Sequence, residues 1–385
     1  MRLGFATRLI AGIAAAALAS AALAQAPLQI TPPGGKAPRA NQPKTKPPAR
    51  KPASPKPAQP PAPSTTETPA SPPPAQADSP PAPAPVPYAV PVSPRPIARP
   101  TASEIAVAFA AYQRGEYLGA FAEATRLATE KSDPKAMALL GELYANGHGV
   151  PLDIKKASDW FRFAAERGDA AATFALALLN LGTRGGPRDL DTAIKHLEAA
   201  TKLGHPIAAY DLGLIYLGGQ QVPQDFSRAA ELFRRAADAG VPEAQYALAT
   251  LYKEGRGVPP DPKEAARLLG AASRGDNLDA QVEYAIALFN GTGVAKDEAG
   301  AAALMGKAAR RGSPIAQNRF ARVLAAGRGI AANPVQATKW HTIAKAGGVS
   351  DTWLDEFVAK LSPAEREAGE SAAKPWLAAM TPPRT

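Results

Sequence analysis

Hydrophobic and polar positions follow helical spacing over most of the chain, and the pattern returns every 36 residues. In the segment 134–169, apolar residues recur three and four positions apart in two stretches that a glycine-containing loop separates. Spacing of this kind predicts two amphipathic helices with a turn between them. Because the same unit returns five more times, the sequence predicts an all-α fold, an array of stacked antiparallel helix pairs.

Three columns of alanine keep this interval through all of the units. They are Ala136, Ala172, Ala208, Ala244, Ala280 and Ala316; Ala157, Ala193, Ala229, Ala265, Ala301 and Ala337; and Ala164, Ala200, Ala236, Ala272, Ala308 and Ala344. Small side chains at the contact let neighbouring helices approach closely. We therefore expect these alanines to be buried in the seams of the array, by which we mean the contacts between adjacent helices.

A column of acidic residues, completed by one asparagine, stands in the same register. Its members are Asp153, Asp189, Asp225, Asp261, Asp297 and Asn333. A side-chain oxygen at the start of a helix accepts hydrogen bonds from unpaired backbone N–H groups, so the column predicts the N-caps of the second helices. Its members belong to different units and are too far apart to share an ion, so the column does not predict a metal site.

In four of the six units the loop carries a Gly-x-Gly-aliphatic motif, at 147–150, 255–258, 291–294 and 327–330. A glycine there can take the positive φ that ends one helix. The motif does not predict phosphate binding, because no strand precedes it and no third glycine or lysine completes a nucleotide fingerprint.

The segment 170–205 fits the pattern least well, so we expect it to be irregular. At Gly275 we expect the helix to end one residue early, with an extra residue behind it.

Composition and pattern divide the chain into five parts. We predict a signal peptide over residues 1–24, a disordered basic Pro/Ala-rich linker over 25–100, an atypical capping helix pair over 101–133, six repeats over 134–348, and capping helices with a tail over 349–385. The atypical ends are typical of repeat arrays, whose terminal apolar faces need a cover. At the C-terminal end, we expect Trp376 to belong to this cover rather than to a ligand platform.

The first residues predict export. Arg2 and Arg8 precede an apolar run from Leu9 to Ala24 that ends in small residues, which is typical of a secretory signal cleaved after Ala24. An uncleaved membrane anchor is the alternative, although the run is shorter than the roughly 18 residues of a spanning helix. We therefore expect a periplasmic or cell-envelope protein, tethered to the inner membrane if the signal stays attached. The chain has no cysteine, which excludes disulfides.

The linker holds most of the positive charge. It contains 26 of the 41 prolines and nine Lys or Arg against two acidic residues, whereas the chain from Thr101 onward has 33 basic and 32 acidic side chains. Such a segment cannot bury a core and, extended, spans roughly 240 Å. The folded part is nearly neutral, so the sequence does not predict nucleic-acid binding. The linker's cations could contact anionic lipid or cell-wall polymers, or could serve solubility alone.

The units resemble the Sel1-like repeat family, which is related to the tetratricopeptide fold. The resemblance rests on the alternating small residues, on Tyr144 and its equivalents near the end of the first helix, on the Gly-x-Gly-Val loop, and on pairs such as Trp160-Phe161 in the second helix. It implies a right-handed superhelix whose concave surface receives another protein. Members are typically adaptors, and cysteine-rich relatives have been linked to penicillin binding. This chain lacks their cysteines.

By the tetratricopeptide analogy, polar residues of the first helices that depart from the repeat pattern are candidate contacts for a protein partner. They are Asp211, Gln245, Gln281, Glu283, Gln317, Arg319 and Arg322. Ordinary solvated positions are the alternative for each of them. We predict no cofactor and a monomeric protein whose partner the sequence does not identify. Attachment to cell-wall glycan is a second hypothesis, and it would require aromatic residues exposed in a groove.

The sequence favours a binding protein over an enzyme, and we predict no catalytic or metal-ligating residue. The four histidines are His148, His196, His205 and His341, and none stands at metal-binding spacing from another. Ser132 and Lys135 fit the SxxK pattern of penicillin-recognising serine enzymes. They cross the start of a predicted helix, where a capping role is the ordinary explanation, and the partner motifs of that chemistry are missing.

Overall fold

The computed structural model describes residues 102–183, 188–220 and 222–380. These ranges contain sixteen α-helices and no strand. The signal peptide and linker predictions concern residues 1–100 and lie outside them. The helices are α1 (Ala102–Gln113), α2 (Tyr117–Lys131), α3 (Pro134–Asn146), α4 (Ile154–Ala165), α5 (Ala170–Asn180), α6 (Leu190–Lys202), α7 (Pro206–Gly218), α8 (Phe226–Asp238), α9 (Pro242–Glu254), α10 (Pro262–Arg274), α11 (Leu278–Asn290), α12 (Glu298–Arg310), α13 (Pro314–Ala326), α14 (Pro334–Ala346), α15 (Thr352–Ala359) and α16 (Pro363–Met380).

The helices from α3 to α14 form six consecutive pairs, and along the array each helix packs mainly on its neighbours in sequence. This arrangement confirms the predicted solenoid. All eighteen alanines of the three columns are at most 2% exposed, which confirms that they form the seams. The first helix of a pair is apolar nearly all round, whereas the second has one buried face and one polar face. In α7, for example, Ala208 to Ile215 are all buried.

The capping column determines where the second helices begin. Each of its six members accepts a hydrogen bond from a backbone N–H in the first turn of its helix, as the sequence predicts. The Asp153 Oδ1 atom, for example, lies 2.9 Å from the Lys156 backbone nitrogen. Because these N–H groups have no partner within the helix, the cap supplies one and fixes the helix start.

The second glycine of each loop motif packs against the preceding helix pair. Gly257 has φ +72°, and a Cβ atom built on it would lie 2.2 Å from the Phe226 carbonyl carbon. Gly293 stands in the same relation to Pro262, and Gly329 to Glu298. A side chain has no room at this contact, so each loop closes over the start of the previous second helix only because its residue is glycine.

A second close contact lies inside the pair. A Cβ atom on Gly213 of α7 would lie 2.6 Å from the ring of Phe233 in α8, and Gly141 is covered in the same way by Phe161. In the other four repeats the first-helix position is alanine, and Leu197, Leu269, Met305 or His341 stands in place of the phenylalanine. Glycine therefore occurs where the facing side chain is a phenylalanine ring, so that the summed volume fits the seam.

Two local predictions had different outcomes. The irregularity of the segment 170–205 is confirmed, since α5 ends at Asn180, two residues before the position at which its equivalents end, and has no left-handed glycine as its C-cap. The prediction that the helix ends one residue early at Gly275 was wrong. Helix α10 ends in register at Arg274, and Asp276 itself takes the left-handed conformation, with φ 63°. Asp276 thus stands where Gly240 and Gly312 have their positive φ, and no residue is added.

The C-terminal helices cover the last repeat. Asp351 caps α15 by accepting from the Leu354 backbone N–H, and Ser362 with Glu365 forms a reciprocal capping box at the start of α16. Helix α16 packs on α14, and the rings of Trp376 and Trp340 lie 5.0 Å apart. Trp376 therefore belongs to the predicted cover. The first residue of the predicted N-terminal capping pair, Thr101, lies outside the described ranges.

Candidate functional site

The structure places the predicted contact residues of the first helices mostly inside the array. Asp211, Gln281, Glu283 and Gln317 are at most 5% exposed. The other three are partly buried: Gln245, Arg319 and Arg322. Their role as partner contacts stays a prediction. The geometry gives six of the seven a hydrogen bond or a charge interaction inside the fold.

The three glutamines occupy one position of the repeat and make one kind of hydrogen bond. Each side-chain amide donates to a backbone carbonyl eight residues earlier, over 3.2 Å: Gln245 to Ala237, Gln281 to Ser273, and Gln317 to Ala309. These carbonyls lie one residue before the end of the preceding second helix, and each also accepts from a backbone N–H group, that of Gly240, Asp276 or Gly312. The glutamines therefore join successive repeats. Their spacing of 36 residues was the sequence signal for this role.

Three of the charged residues, Asp211, Glu283 and Arg319, also share one position of the repeat, and its surroundings change along the array. In the fifth repeat the Glu283 carboxylate accepts from the Tyr246 hydroxyl at 2.9 Å and pairs with Lys253. In the third repeat the residue is Asp211, and the two donors are replaced by Phe174 and Leu181 at the equivalent positions. The Asp211 side chain is fully buried, and neither oxygen finds a hydrogen-bond partner among the described residues.

This environment sets the charge of Asp211. Burial raises the pKa of its carboxyl to about 8, because water no longer stabilises the ionised form. At neutral pH the group is therefore mostly protonated. In this conformation the Asp211 carboxyl is thus both neutral and shielded from solvent.

Arg322 links the last repeat to the C-terminal cap. Its Nε and Nη2 atoms donate to the two oxygens of Asp351 at 2.6 and 2.8 Å, and its guanidinium lies 5.3 Å from the Trp353 ring centre. Burial acts to raise the pKa of Asp351, but the hydrogen bonds from Arg322 and Asn318 hold it below its usual value. Next to this pair, burial lowers the pKa of Arg319.

The second helices carry the accessible surface, and α4 has an aromatic patch on it. We define this α4 patch as Trp160, Arg162 and Phe163. Phe163 is 38% exposed, its ring lies edge-on at 5.9 Å from Trp160, and the Arg162 guanidinium lies 5.3 Å from its centre. Large aromatic residues and arginine are the residues enriched at the energetic centres of protein interfaces. Sequence reasoning missed Phe163, although it interrupts the polar face of an amphipathic helix.

The aromatic residues at the C-terminal end are less accessible. A cavity of about 460 Å³ lies there, lined in part by Trp340, Trp376, Lys339 and Arg310. Trp340 is 4% exposed, and the Lys339 ammonium group lies 4.8 Å from the Trp340 ring centre and 5.3 Å from that of Trp376. The lysine thus occupies space over both rings, where a sugar would stack.

Ser132 and Lys135 lie at a helix junction. Ser132 is the C-cap of α2, with φ 52°, and Asp133 between them caps α3 by accepting from the Lys135 backbone N–H at 2.7 Å. The Lys135 side chain is exposed. The described ranges contain no group of three or more His, Cys, Asp or Glu residues placed to hold a metal ion. None of the helices in those ranges is both long and apolar enough to cross a membrane.

Comparisons with known proteins agree with this geometry. The family model for the Sel1 repeat matches residues 134–169, 170–205, 206–241, 242–277, 278–313 and 314–349, which are the six helix pairs from α3 to α14. A comparison with curated proteins gives no match.

Two of the solved structures that are similar to the chain are Sel1-type repeat proteins. The first is c5321, a protective antigen present in uropathogenic Escherichia coli strains that displays an SLR fold, with 24% identity over 72% of this chain and a TM-score of 0.59. This chain spans 60% of the length of c5321. The second is a Sel1 repeat protein from Oxalobacter formigenes, with 25% identity, a TM-score of 0.52, and coverage of 65% of this chain and 100% of that one.

Proposed function

Since this chain belongs to the Sel1 repeat family, we propose that it is a non-enzymatic scaffold that binds another protein in the bacterial cell envelope. Repeats of this kind stack into extended surfaces on which partners bind. The observation that carries the proposal is the α4 patch, in which two aromatic side chains and an arginine are grouped on the outward face of the array. The predicted export signal supports the location in the envelope.

The proposal moves the contact surface from the first helices to the outward face. Charge reversal at Asp211 or Glu283 would place an unpaired positive charge in a buried site, and unfolding would then be confused with loss of binding. The α4 patch allows a cleaner test, because Phe163 is the most exposed of its aromatic side chains.

Crosslinking in intact cells followed by mass spectrometry tests this function. We expect the full-length protein to crosslink to a defined protein, and Phe163→Ser to lower the yield at least tenfold, since truncating a hot spot costs about 2 kcal/mol or more. Leu203→Ser is the matched control, because Leu203 is another exposed apolar residue, at 47%, outside the patch. No crosslinked protein at all would contradict the scaffold role. Equal crosslinking yields from the two variants would contradict the assignment of the α4 patch as the contact surface.

Attachment to cell-wall glycan stays a second prediction with less support, because Lys339 lies over the rings of Trp340 and Trp376. Sedimentation with purified peptidoglycan measures it directly. We expect the full-length protein to stay in the supernatant, and its recovery in the pellet would favour the glycan hypothesis.

A further inference from the structure

The middle residue of the loop motif packs on the preceding helix pair wherever it is large. His148 stacks on Tyr117 with the ring centres 4.3 Å apart, and the Arg256 guanidinium lies 4.2 Å from the ring centre of Phe226. Both partners are the first residue of the second helix before the loop. A flat or long side chain thus covers the same groove in two seams.

Arg328 covers this groove most fully. It pairs with Glu298 through Nε at 2.8 Å and lies 5.2 Å from the centre of the Phe289 ring. One repeat earlier, the residues equivalent to Glu298 and Phe289 are Pro262 and Lys253. The loop residue that would cover them is Thr292, which is too short to do so.

A cavity of about 230 Å³ lies at this place, between the fourth and fifth repeats. Thr292, Pro262 and Lys253 all line it. An engineered cavity of about 150 Å³ is large enough to bind benzene. The space that arginine covers in the next seam is therefore an open site here, with room for one side chain.

The lining of the cavity has an apolar wall and polar ends. Ala265, Leu269 and Ile286 supply apolar surface. Two acceptors lie among the lining residues. The Glu283 carboxylate is one, and the other is Asn290 Oδ1, which is buried and has no hydrogen-bond partner in the described part of the chain. An occupant with an aliphatic stem and an N–H-bearing tip would match both features, and long cationic side chains have this form.

We propose that the cavity between the fourth and fifth repeats binds an arginine side chain of the partner protein. The inference rests on the proposed function, since it assigns one contact of the scaffold. A guanidinium is preferred to an ammonium because it is planar and presents several donors in one plane. The Lys253 charge does not oppose it strongly, because Lys253 pairs with Glu283.

Titration with short peptides tests the site without the partner. The probes are acetyl-Gly-Arg-Gly-amide and its Lys and Leu counterparts, and binding to the full-length protein is followed by NMR. We expect the arginine peptide to bind at least tenfold more tightly than the leucine peptide. Thr292→Arg supplies the side chain that stands at Arg256 and Arg328 in two other loops, so we expect it to weaken binding of the arginine peptide at least tenfold. Thr352→Arg adds the same charge at an exposed position and should change nothing.

Asn290→Leu is the second variant, since it removes the unpaired acceptor and leaves the shape nearly unchanged. We expect it to lose the preference for arginine over leucine, with an unchanged circular dichroism spectrum. Equal binding of the three peptides, or full binding by Thr292→Arg, would overturn the inference. If Thr292→Arg still crosslinks the partner in cells as wild type does, the cavity assignment fails and the scaffold role stands. If the wild-type protein crosslinks nothing, the scaffold role fails. The peptide titration still tests whether the cavity binds an arginine side chain.

Discussion

At the scale of single residues, the array is a set of matched pairs. Phe233 faces Gly213 within one repeat, whereas Leu269 stands at the equivalent position where the first helix has Ala249. The sequence shows that small residues occupy these positions of the first helices. It does not show which residue of the second helix limits the size of the side chain there. That limit appears only when the two helices are packed, because it is set by the distance between them.

The pairing gives a prediction for Gly213→Ala. Overpacking against Phe233 costs about 1–3 kcal/mol, which outweighs the gain of about 1 kcal/mol from replacing a helical glycine. Phe233→Leu alone leaves a void. The double variant has the combination of the fourth repeat, so we expect its loss of unfolding free energy to be at least about 1 kcal/mol smaller than the sum of the two single losses. Denaturant unfolding measures all four proteins, and strict additivity would contradict the pairing.

At the scale of elements, the second helices could be predicted better than the first. Their caps stand in one column and their patterns are amphipathic, so their starts follow from the sequence. The first helices are apolar nearly all round, and their caps vary: Asp169 accepts from the Ala172 N–H, whereas Val241 makes no side-chain cap bond. The sequence could not show that the polar residues of such a helix point into the seams, because a buried helix has no polar face to set its orientation.

One of these variable caps titrates. In α7 the cap is His205, whose Nδ1 atom accepts from the Ala208 backbone N–H at 3.1 Å while the ring stacks on Phe174. Burial lowers the pKa of His205 to about 4, below its unfolded value of about 6.5. The unfolded chain therefore binds the proton first, and the contribution of His205 to stability is complete above about pH 6.5 and is lost as the pH falls towards 4.

The matched variant for this cap is His205→Asn, which keeps a capping oxygen, as Asn277 does in α11, and cannot titrate. The ring keeps some exposure to water, so we expect wild type to lose about 1–2 kcal/mol relative to the variant between pH 7 and pH 4.5. Denaturant unfolding at several pH values gives the difference between the two proteins, in which the other acidic groups cancel. A difference that stays constant with pH would refute the cap assignment.

At the scale of the whole molecule, the described domain is one continuous array with a cover at its C-terminal end. The six repeats, the solenoid and the helical ends could be predicted because period, caps and apolar stripes are local features of the sequence. The two candidate sites on the array could not be predicted. The exposure of Phe163 and the space beside Thr292 depend on contacts between residues of different repeats or of different helices.

The C-terminal cover depends on the ion pair between Arg322 and Asp351. We expect Arg322→Met to lower the free energy of unfolding by about 2–4 kcal/mol, because it leaves the Asp351 carboxylate, 4% exposed, without its cation. Arg235→Met is the control, since Arg235 is exposed on α8 and surface substitutions change stability by less than about 0.5 kcal/mol. Thermal unfolding of both variants measures the effect. Equal melting temperatures would show that Asn318 and the α15 N–H group suffice for Asp351.

The contact of each loop glycine with the helix pair before it gives the array a direction. A helix pair followed by a Gly-x-Gly loop receives from its successor the loop that closes its second helix, so it is incomplete until that successor has been made. During synthesis, which proceeds from the N-terminus, each such pair would wait with an open edge for the next one. The final pair of the array would be closed by a different structure, the cover formed by α15 and α16.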